Sequence, residues 1–193
     1  MSAAPDSGRV AAGAIAGLLA LARAFPQRLQ AQREHRWLQL RREAAPADVQ
    51  AQTVLLIGVG AVGAAVAHFA QALDMRVIGV RRSSAAVAAV DEIHGVEALP
   101  ALLPRADWVV LACPLTPQTQ HLLDAAALAC LRRGAGIINV IHPDLVDEGA
   151  LLAALQSGQV GSAYLDGADG VPLPAASLLR AQPGVMVGGS ASF

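Results

Sequence analysis

A glycine-rich turn between an apolar run and a helical segment constrains this chain more than any other feature. Within TVLLIGVGAVGAAVAHFAQAL, Gly58, Gly60 and Gly63 form the pattern G-x-G-x-x-G. In this context the first glycine allows a tight turn, the second lets a phosphate approach the backbone, and the third lets the helix pack closely on the strand. The first helical N–H groups, around Ala61 and Val62, would face the phosphates. The turn therefore predicts dinucleotide binding, the alternative being a glycine-rich turn in an unrelated α/β fold.

The chain beyond this turn alternates short apolar runs with helical segments, which is typical of βαβ units and a parallel sheet. We expect a Rossmann-like, doubly wound α/β fold. The predicted strands are 54–57, 76–80, 108–112, 136–140, 162–165 and 185–187, with a weaker strand at 92–94. The predicted helices are 61–73, 85–90, 97–103, 125–131 and 148–156. Asp124 and Asp147 are predicted helix N-caps, and Gly134 and Gly158 are predicted C-caps.

The segment that precedes the sheet has a different pattern. Residues 9–43 predict one or two long helices with a break at Pro26, and residues 43–50 form a predicted linker. We therefore divide the chain into an N-terminal helical segment with its linker, residues 1–50, and a cofactor-binding domain, residues 51–193. The apolar run VAAGAIAGLLALARA is an alternative signal-peptide core, but Asp6 stands in its supposed basic region. The run is also too short to span a membrane.

Composition narrows the class of protein. The chain is 54% hydrophobic and 15% charged with a formal net charge of −1, which predicts a globular domain with no general attraction to nucleic acid or anionic membranes. The most basic stretch, RLQAQREHRWLQLRRE, also carries acids, so a solvated or partner-facing helix is favoured over a nucleic-acid site. Two cysteines, Cys113 and Cys130, exclude a disulfide framework or a metal cluster and fit a reducing cytoplasm.

The end of the second predicted strand indicates which dinucleotide binds. An NAD-preferring site places an Asp or Glu about 20 residues after the glycines, where it accepts from the ribose 2′-hydroxyl. Here Arg81, Arg82 and Ser83 occupy that region. Guanidinium groups suit a 2′-phosphate through charge-assisted hydrogen bonds, which favours NADP(H) over NAD(H). The alternative is that two arginines at a strand end simply face water.

With these elements placed, residues 9–190 resemble the cofactor-binding domain of the D-isomer-specific 2-hydroxyacid dehydrogenases, a family that includes glyoxylate and hydroxypyruvate reductases. The glycine turn carries part of the match. The remaining stretches are the leading helix AIAGLLALARAFPQRLQAQREHRW, the loop and strand ADWVVLACPLTPQTQHLLDAAALACLRRGAGIINV, and the helix and strand LVDEGALLAALQSGQVGSAYLD. The resemblance therefore covers nearly the whole chain.

The resemblance implies further cofactor contacts at the carboxyl ends of the strands. On the ribose and phosphate side the implied residues are Cys113, Pro114, Leu115 and Thr119. Under the nicotinamide they are Val140 and Ile141, and Asp166 would bond the carboxamide. Simpler interpretations stay open, with Cys113 as a buried filler, Thr119 as a helix-start hydroxyl and Asp166 as a turn former.

The resemblance also implies three catalytic groups, and this sequence departs from all three. His142 stands at the position of the arginine that holds the substrate carboxylate, Asp169 at that of the glutamate, and Ser190 at that of the histidine that exchanges the proton. Loss of a positioned acid or base typically lowers the rate by about 10²–10⁴-fold. His142 paired with Asp144 or Asp169 is a conceivable rearranged site, whereas His142-Pro143 as a mere turn is the simpler interpretation.

Members of the family carry a separate substrate domain, which we do not find within these 193 residues. We therefore expect an NADP(H)-binding protein, related to the dehydrogenases, without normal dehydrogenase activity on its own. One alternative is an active reductase of a 2-oxo acid or small carbonyl compound, with a rearranged site or a substrate wall supplied by a protein partner. Another is an interaction module with a vestigial cofactor groove. The resemblance implies a homodimer through the N-terminal helix, whose apolar face would be uncovered at Ile15, Leu18, Leu19, Leu21 and Ala22.

Overall fold

Seven parallel strands form a single sheet in a computed structural model that describes residues 7–37, 48–83, 87–167 and 173–188. The strands are β1 (Thr53–Ile57), β2 (Arg76–Val80), β3 (Glu92–His94), β4 (Trp108–Leu111), β5 (Ala135–Asn139), β6 (Val160–Leu165) and β7 (Val185–Val187). Their order is β3-β2-β1-β4-β5-β6-β7. The direction of winding reverses between β1 and β4, and ligands of such sheets bind in the crevice outside the carboxyl ends at that point. The predicted fold class is confirmed.

Six α-helices accompany the strands in the described ranges: α1 (Ser7–Ala22), α2 (Phe25–Arg33), α3 (Ala61–Ala72), α4 (Leu99–Leu102), α5 (Ala125–Cys130) and α6 (Glu148–Gln156). Short 3₁₀ segments lie at 96–98, 103–105, 143–145 and 178–181. The predicted N-caps are confirmed, because the carboxylates of Asp124 and Asp147 accept from the N–H groups of Ala127 and Ala150, each at 2.8 Å. Gly158 directly follows the last turn of α6 with φ 71°.

Both faces of the central part of the sheet are buried, so β1, β4 and β5 are almost entirely apolar. Along β1, Val54 and Leu56 contribute to the core on the side of α1 and α3, whereas Leu55 and Ile57 contribute to the core on the side of α5 and α6. This division follows from the two-residue period of a strand, which sends neighbouring side chains to opposite faces. A sheet covered on both faces exposes ligand-binding groups only at the strand ends.

The apolar face of α1 is covered by the chain itself, contrary to expectation. Ile15, Leu18 and Leu21 are at most 8% exposed and belong to the same core cluster as Val66 and Ala67 of α3. The helix occupies a place in the layer beside α3, and this removes the uncovered face from which a dimer was inferred. Dimerisation itself stays a prediction.

The N-terminal helical pattern divides earlier than predicted. Helix α1 ends at Ala22 and α2 begins at Phe25, with Ala24 between them in the left-handed conformation at φ 53°. Pro26 lies in the first turn of α2, where its missing N–H has no helical partner to lose, so the break precedes the proline. Helix α2 stops at Arg33, and residues 38–47, with most of the predicted linker, lie outside the described residues.

No single helix in the described part of the chain is long and apolar enough to cross a membrane. The pair α1 and α2, bent by 64° at the break between them, passes the same test of length and composition when the two are taken together.

One predicted helix is wrong, and another is present only in part. The described part of 85–90 is a turn, with Ala89 in the left-handed conformation and the Asp91 carboxylate accepting from the Val77 N–H at 2.7 Å. This tertiary contact overrides the helix propensity of the alanines. The helix predicted at 97–103 divides into 3₁₀ turns around the four residues of α4, because Pro100 and Pro104 interrupt its hydrogen bonds. Every predicted strand is present, and β2, β3 and β7 match to the residue.

Candidate cofactor site

The predicted cofactor residues that the structure describes lie at one edge of the sheet. Because all seven strands are parallel, the carboxyl ends of β1, β2, β4, β5 and β6 meet there. The glycine turn follows β1, Arg81 follows β2, Cys113 follows β4, and Val140 and Asp166 follow β5 and β6. The topology alone thus brings together residues that are far apart in the sequence.

The three glycines of the turn meet different surroundings. Gly58 has φ 98°, and a β-carbon there would stand 2.5 Å from the backbone nitrogen of Cys113. A β-carbon at Gly63 would overlap the carbonyl oxygen of Gly58, so this glycine lets α3 pack against the turn. A β-carbon at Gly60 would meet nothing within 4 Å. The chain therefore leaves open space at the one position where the motif lets a phosphate approach the backbone.

The start of α3 provides backbone donors beside that space. Gly60 is the N-cap of the helix, and no side chain caps the first-turn N–H groups. The N–H groups near Ala61 and Val62 therefore have no intrahelical partner, and the positive end of the helix dipole favours an anion there. Together with Gly60, these donors fit a pyrophosphate.

At the end of β2, Arg81 is anchored through its backbone. Its N–H donates to the His94 carbonyl oxygen at 3.0 Å. The Arg81 side chain is half-buried, whereas Arg82 and Ser83 are exposed. Neither guanidinium forms an ion pair with another residue in the ranges that the structure describes. Both arginines therefore follow the strand at whose end the ribose of the adenosine is predicted to lie.

The loop after β4 is held by its own hydroxyl groups. The Thr119 hydroxyl accepts from the Thr116 N–H at 2.7 Å and donates to the Pro114 carbonyl oxygen at 2.8 Å. These bonds make Thr119 a residue that shapes the loop carrying Pro114 and Leu115, rather than a helix-start hydroxyl. Cys113 is buried against the turn at Gly58, and burial raises the pKa of its thiol. Its observed contacts are those of a small buried filler.

A buried asparagine that the sequence interpretation missed organises the end of β5. Asn139 is 1% exposed. Its Nδ2 donates to the His142 carbonyl oxygen at 2.8 Å, and its Oδ1 accepts from the Ile141 N–H at 3.2 Å. The side chain thus fixes the turn that contains Val140 and Ile141. A lone asparagine at the end of an apolar strand was the available signal, since a buried amide must find partners.

His142 is a capping residue in this turn. Its Nδ1 accepts from the Asp144 N–H at 3.1 Å and caps the 3₁₀ segment Pro143–Leu145. A backbone N–H only donates, so Nδ1 carries no proton in this bond. The shortest approach of Nδ1 to the Asp144 carboxylate is 4.0 Å, too long for a hydrogen bond. The geometry supports the interpretation of His142-Pro143 as a turn.

Asp166 presents one paired and one unpaired carboxylate oxygen. Its Oδ2 accepts from the Tyr164 hydroxyl at 3.1 Å, and its backbone N–H donates to the Asn139 carbonyl oxygen at 2.8 Å. Its Oδ1 is buried and has no hydrogen-bond partner among the described residues. A buried carboxylate oxygen without a donor is costly, so this atom fits a ligand that brings an N–H group. The carboxamide of a nicotinamide is such a group.

A cavity of about 410 Å³ lies beside Asp166. This volume is within the range of about 300–1,000 Å³ typical of small-ligand sites. Its apolar part includes Val146, Leu151, Leu165, Leu173 and Leu179, and its polar part includes Asn139, His121, Asp144, Asp147, Glu148 and Asp166. Two of the predicted catalytic positions, Asp169 and Ser190, lie outside the described residues.

Comparison with known proteins gives a family match. Residues 15–188 match the family described as D-isomer specific 2-hydroxyacid dehydrogenase, NAD binding domain. The chain is 33% identical over 151 residues to the D-3-phosphoglycerate dehydrogenase of Rattus norvegicus. It is 36% identical over 140 residues to the (S)-sulfolactate dehydrogenase of Chromohalobacter salexigens. These alignments cover 77% and 72% of this chain.

A solved relative shares the architecture. The D-isomer specific 2-hydroxyacid dehydrogenase of Xanthobacter autotrophicus Py2, crystallised with NADPH and MES, is 38% identical with a TM-score of 0.83, and the match covers 97% of this chain. The chain spans 58% of that protein, 28% of the rat enzyme and 45% of the sulfolactate dehydrogenase. The similarity therefore concerns one part of each of these longer proteins.

Proposed function

This chain belongs to the D-isomer specific 2-hydroxyacid dehydrogenase family, within the NAD-binding domain, and we propose that it binds NADP(H) in preference to NAD(H). The glycine turn is the observation that carries the binding proposal. Gly58 and Gly63 have no room for a side chain, whereas Gly60 faces open space beside uncapped helical N–H groups. The unpaired Oδ1 of Asp166 provides an acceptor at the other end of the same edge.

The proposed preference for NADP(H) rests on the charge at the end of β2. Arg81 and Arg82 supply two guanidinium groups where an NAD-preferring site has a carboxylate. Either side chain would form charge-assisted bonds with a 2′-phosphate. The NADPH in the Xanthobacter relative supports this choice by analogy.

We further propose that this chain by itself lacks the dehydrogenase turnover of its family. A bound nicotinamide would supply or accept a hydride, but the substrate also needs a group that holds its carboxylate. His142 lacks the planar pair of donors of an arginine, and its Nδ1 already accepts from the Asp144 N–H. Ser190 stands in place of the proton-exchanging histidine, and a serine hydroxyl is a poor general acid near neutral pH.

The cavity beside Asp166 favours a second candidate, a reductase of a small carbonyl compound with a rearranged site. Asn139 and Asp166 line this cavity together with His121, which is the candidate proton-exchanging group of such a site. In that case a protein partner would supply the second wall of the substrate site. Turnover of glyoxylate or hydroxypyruvate with NADPH, followed as the loss of NADPH absorbance, would favour this candidate over the first.

A homodimer remains part of the proposal, through α2 rather than through the buried face of α1. Phe25 and Leu29 of α2 are 50% and 52% exposed and are available to a second copy. Light scattering at micromolar concentration should give twice the chain mass. The mass of a monomer would contradict the proposed dimer. A reducing cytoplasm is the proposed location, since Cys113 and Cys130 are both free thiols.

Calorimetric titration of the full chain with NADPH, and separately with NADH, tests the main proposal. We expect NADPH to bind at least about tenfold more tightly, the effect of one charge-assisted hydrogen bond. Equal affinities for NADPH and NADH would contradict the proposed role of the arginines in choosing the dinucleotide, but would still support a cofactor site. Failure to bind either dinucleotide would overturn the proposed function and favour an interaction module with a vestigial groove.

A further inference from the structure

A tyrosine that no motif of the sequence identified connects α1 to the site. Tyr164 belongs to β6 and packs in the core on the side of α1 and α3. Its ring lies against Gly17, where a β-carbon would overlap the ring carbons. The glycine in the middle of α1 therefore makes room for the tyrosine, and α1 determines how deeply the ring can lie.

The hydroxyl at the other end of this ring holds the carboxylate of Asp166. It donates to Oδ2 at 3.1 Å. Gly188, directly after β7, lies close to both groups, because a β-carbon there would stand 2.5 Å from Cγ of Asp166 and 2.7 Å from the Tyr164 hydroxyl. Burial, and then the neighbouring Asp166 carboxylate, raise the pKa of Tyr164 to about 12. The hydroxyl therefore stays protonated and remains a donor throughout the physiological pH range.

These contacts leave the two oxygens of Asp166 in different states. A carboxylate group rotates readily about its Cβ–Cγ bond. Its two oxygens would therefore exchange places if no contact held one of them. The hydrogen bond from the Tyr164 hydroxyl favours one orientation of the carboxylate. Oδ2 is paired inside the protein, and Oδ1 is buried without a partner in the described ranges.

We propose that Tyr164 is a positioning residue for the nicotinamide end of the cofactor, which holds Oδ2 of Asp166 so that Oδ1 accepts from the carboxamide. This inference rests on the proposed cofactor binding. It extends the site to α1, which contributes no cofactor ligand but seats the tyrosine through Gly17. Tyr164 acts only through Asp166, so it should influence the nicotinamide end and leave the adenosine and phosphate end unchanged.

Tyr164→Phe tests this assignment with two ligands in calorimetric titrations of the full chain. NADPH carries the carboxamide, and 2′-phospho-ADP-ribose carries the same adenosine and phosphates without the nicotinamide. We expect Tyr164→Phe to bind NADPH about tenfold more weakly than the unaltered chain, as for a lost hydrogen bond to a charged group. Its affinity for 2′-phospho-ADP-ribose should be unchanged.

A second pair of variants approaches the tyrosine from α1. Gly17→Ala displaces the ring, whereas Gly13→Ala on the same helix meets nothing within 4 Å. Both replace a helical glycine by alanine and gain the same helix propensity, so Gly13→Ala is the matched control. Gly17→Ala should weaken NADPH but not 2′-phospho-ADP-ribose, and Gly13→Ala should weaken neither. These two variants test the positioning role of Tyr164 even if Tyr164→Phe does not fold.

The outcomes separate the inference from the proposal beneath it. If the unaltered chain binds both ligands and the variants bind NADPH just as well, the positioning role is wrong and cofactor binding stands. An equal loss of affinity for both ligands would also overturn it, because a merely structural tyrosine affects the whole fold. If the unaltered chain binds neither ligand, cofactor binding fails and the positioning role fails with it.

Discussion

The two halves of the sheet edge offer different groups to the proposed cofactor. Beside β1 the site consists of backbone, with glycines that leave room and helical N–H groups that donate. Beside β5 and β6 it consists of side chains, with Asn139 shaping a turn and Asp166 offering a buried acceptor. His142 belongs to this second half and caps a 3₁₀ turn there.

The difference indicates that cofactor binding and chemistry would depend on different groups at this edge. Backbone donors depend on chain geometry and tolerate most changes of side chain, so the phosphate half persists when neighbouring side chains change. Carboxylate binding and proton exchange each depend on one particular side chain. If His142 replaces the family's arginine as we propose, a chemical task would be lost without disturbing the glycine turn.

The largest effect is expected from Gly63→Ala in the backbone half. Its methyl group would overlap the Gly58 carbonyl oxygen and push α3 away from the turn. We expect a loss of about 1–3 kcal/mol in the free energy of unfolding, as for overpacking, and at least about a 100-fold loss of NADPH affinity. Urea unfolding and calorimetric titration measure the two quantities.

Gly60→Ala is the matched control for that variant, because its methyl group would stand in open space. It should unfold like the unaltered chain and still bind NADPH more weakly, since the methyl group occupies the side on which the phosphate approaches. Normal NADPH binding by Gly63→Ala would contradict the close-packing role of this glycine.

A smaller effect is expected at the end of β2. Arg81→Gln, or Arg82→Gln, should lower NADPH affinity by about 10–100-fold and leave NADH affinity unchanged, because only NADPH carries the 2′-phosphate. Titrations at two salt concentrations should also show a weaker salt dependence in the variant. Arg33→Gln on the exposed side of α2 removes the same charge elsewhere and should change neither affinity. An equal loss of affinity for NADPH and NADH would show that the arginines stabilise the fold and do not contact the 2′-phosphate.

His142→Ala tests the side-chain half through stability. Removing the acceptor of the Asp144 N–H should cost about 1 kcal/mol in the free energy of unfolding, the usual size of a lost cap. His142→Asn should retain most of that stability, since asparagine is also a capping residue. If His142→Ala unfolds like the unaltered chain, the histidine is free for another role and the rearranged site regains support.

The smallest effect is expected at Glu92, the first residue of the edge strand β3. Arg105, then His94, and to a lesser degree Arg76 lower its carboxyl pKa from 4.5 to about 2. A lowered carboxyl pKa stabilises the fold above about pH 4.5 and loses that contribution as the pH falls towards 2. Since the arginines are largely exposed, Glu92→Gln should cost only about 1 kcal/mol at pH 7.

Thermal unfolding between pH 3 and 7 checks this prediction. The difference in unfolding temperature between Glu92→Gln and the unaltered chain should become smaller as the pH falls. Glu97→Gln removes an exposed carboxylate that forms no ion pair in the described ranges and should show no such trend. A constant difference at all pH values would mean that packing, and not the charge of Glu92, stabilises this edge.

The sequence by itself determined the features that depend on neighbouring residues. The glycine turn, the strands β2, β3 and β7, and the caps at Asp124 and Asp147 all follow from local patterns. Local rules also gave the parallel sheet, because apolar runs that alternate with helices pack in few ways. The sequence left two interpretations of His142-Pro143 open, a turn and a rearranged catalytic site. The turn also follows from a local rule, because a proline stops the strand.

Only the tertiary structure decided how distant segments meet. It covered the apolar face of α1 with α3, replaced a predicted helix near Val90 by a turn, and seated Tyr164 on Gly17. It also paired one carboxylate oxygen of Asp166 with the Tyr164 hydroxyl and left the other buried without a partner among the described residues. Periodicity reports that a side chain is buried but not which helix or strand buries it, because that depends on contacts between residues far apart in the sequence.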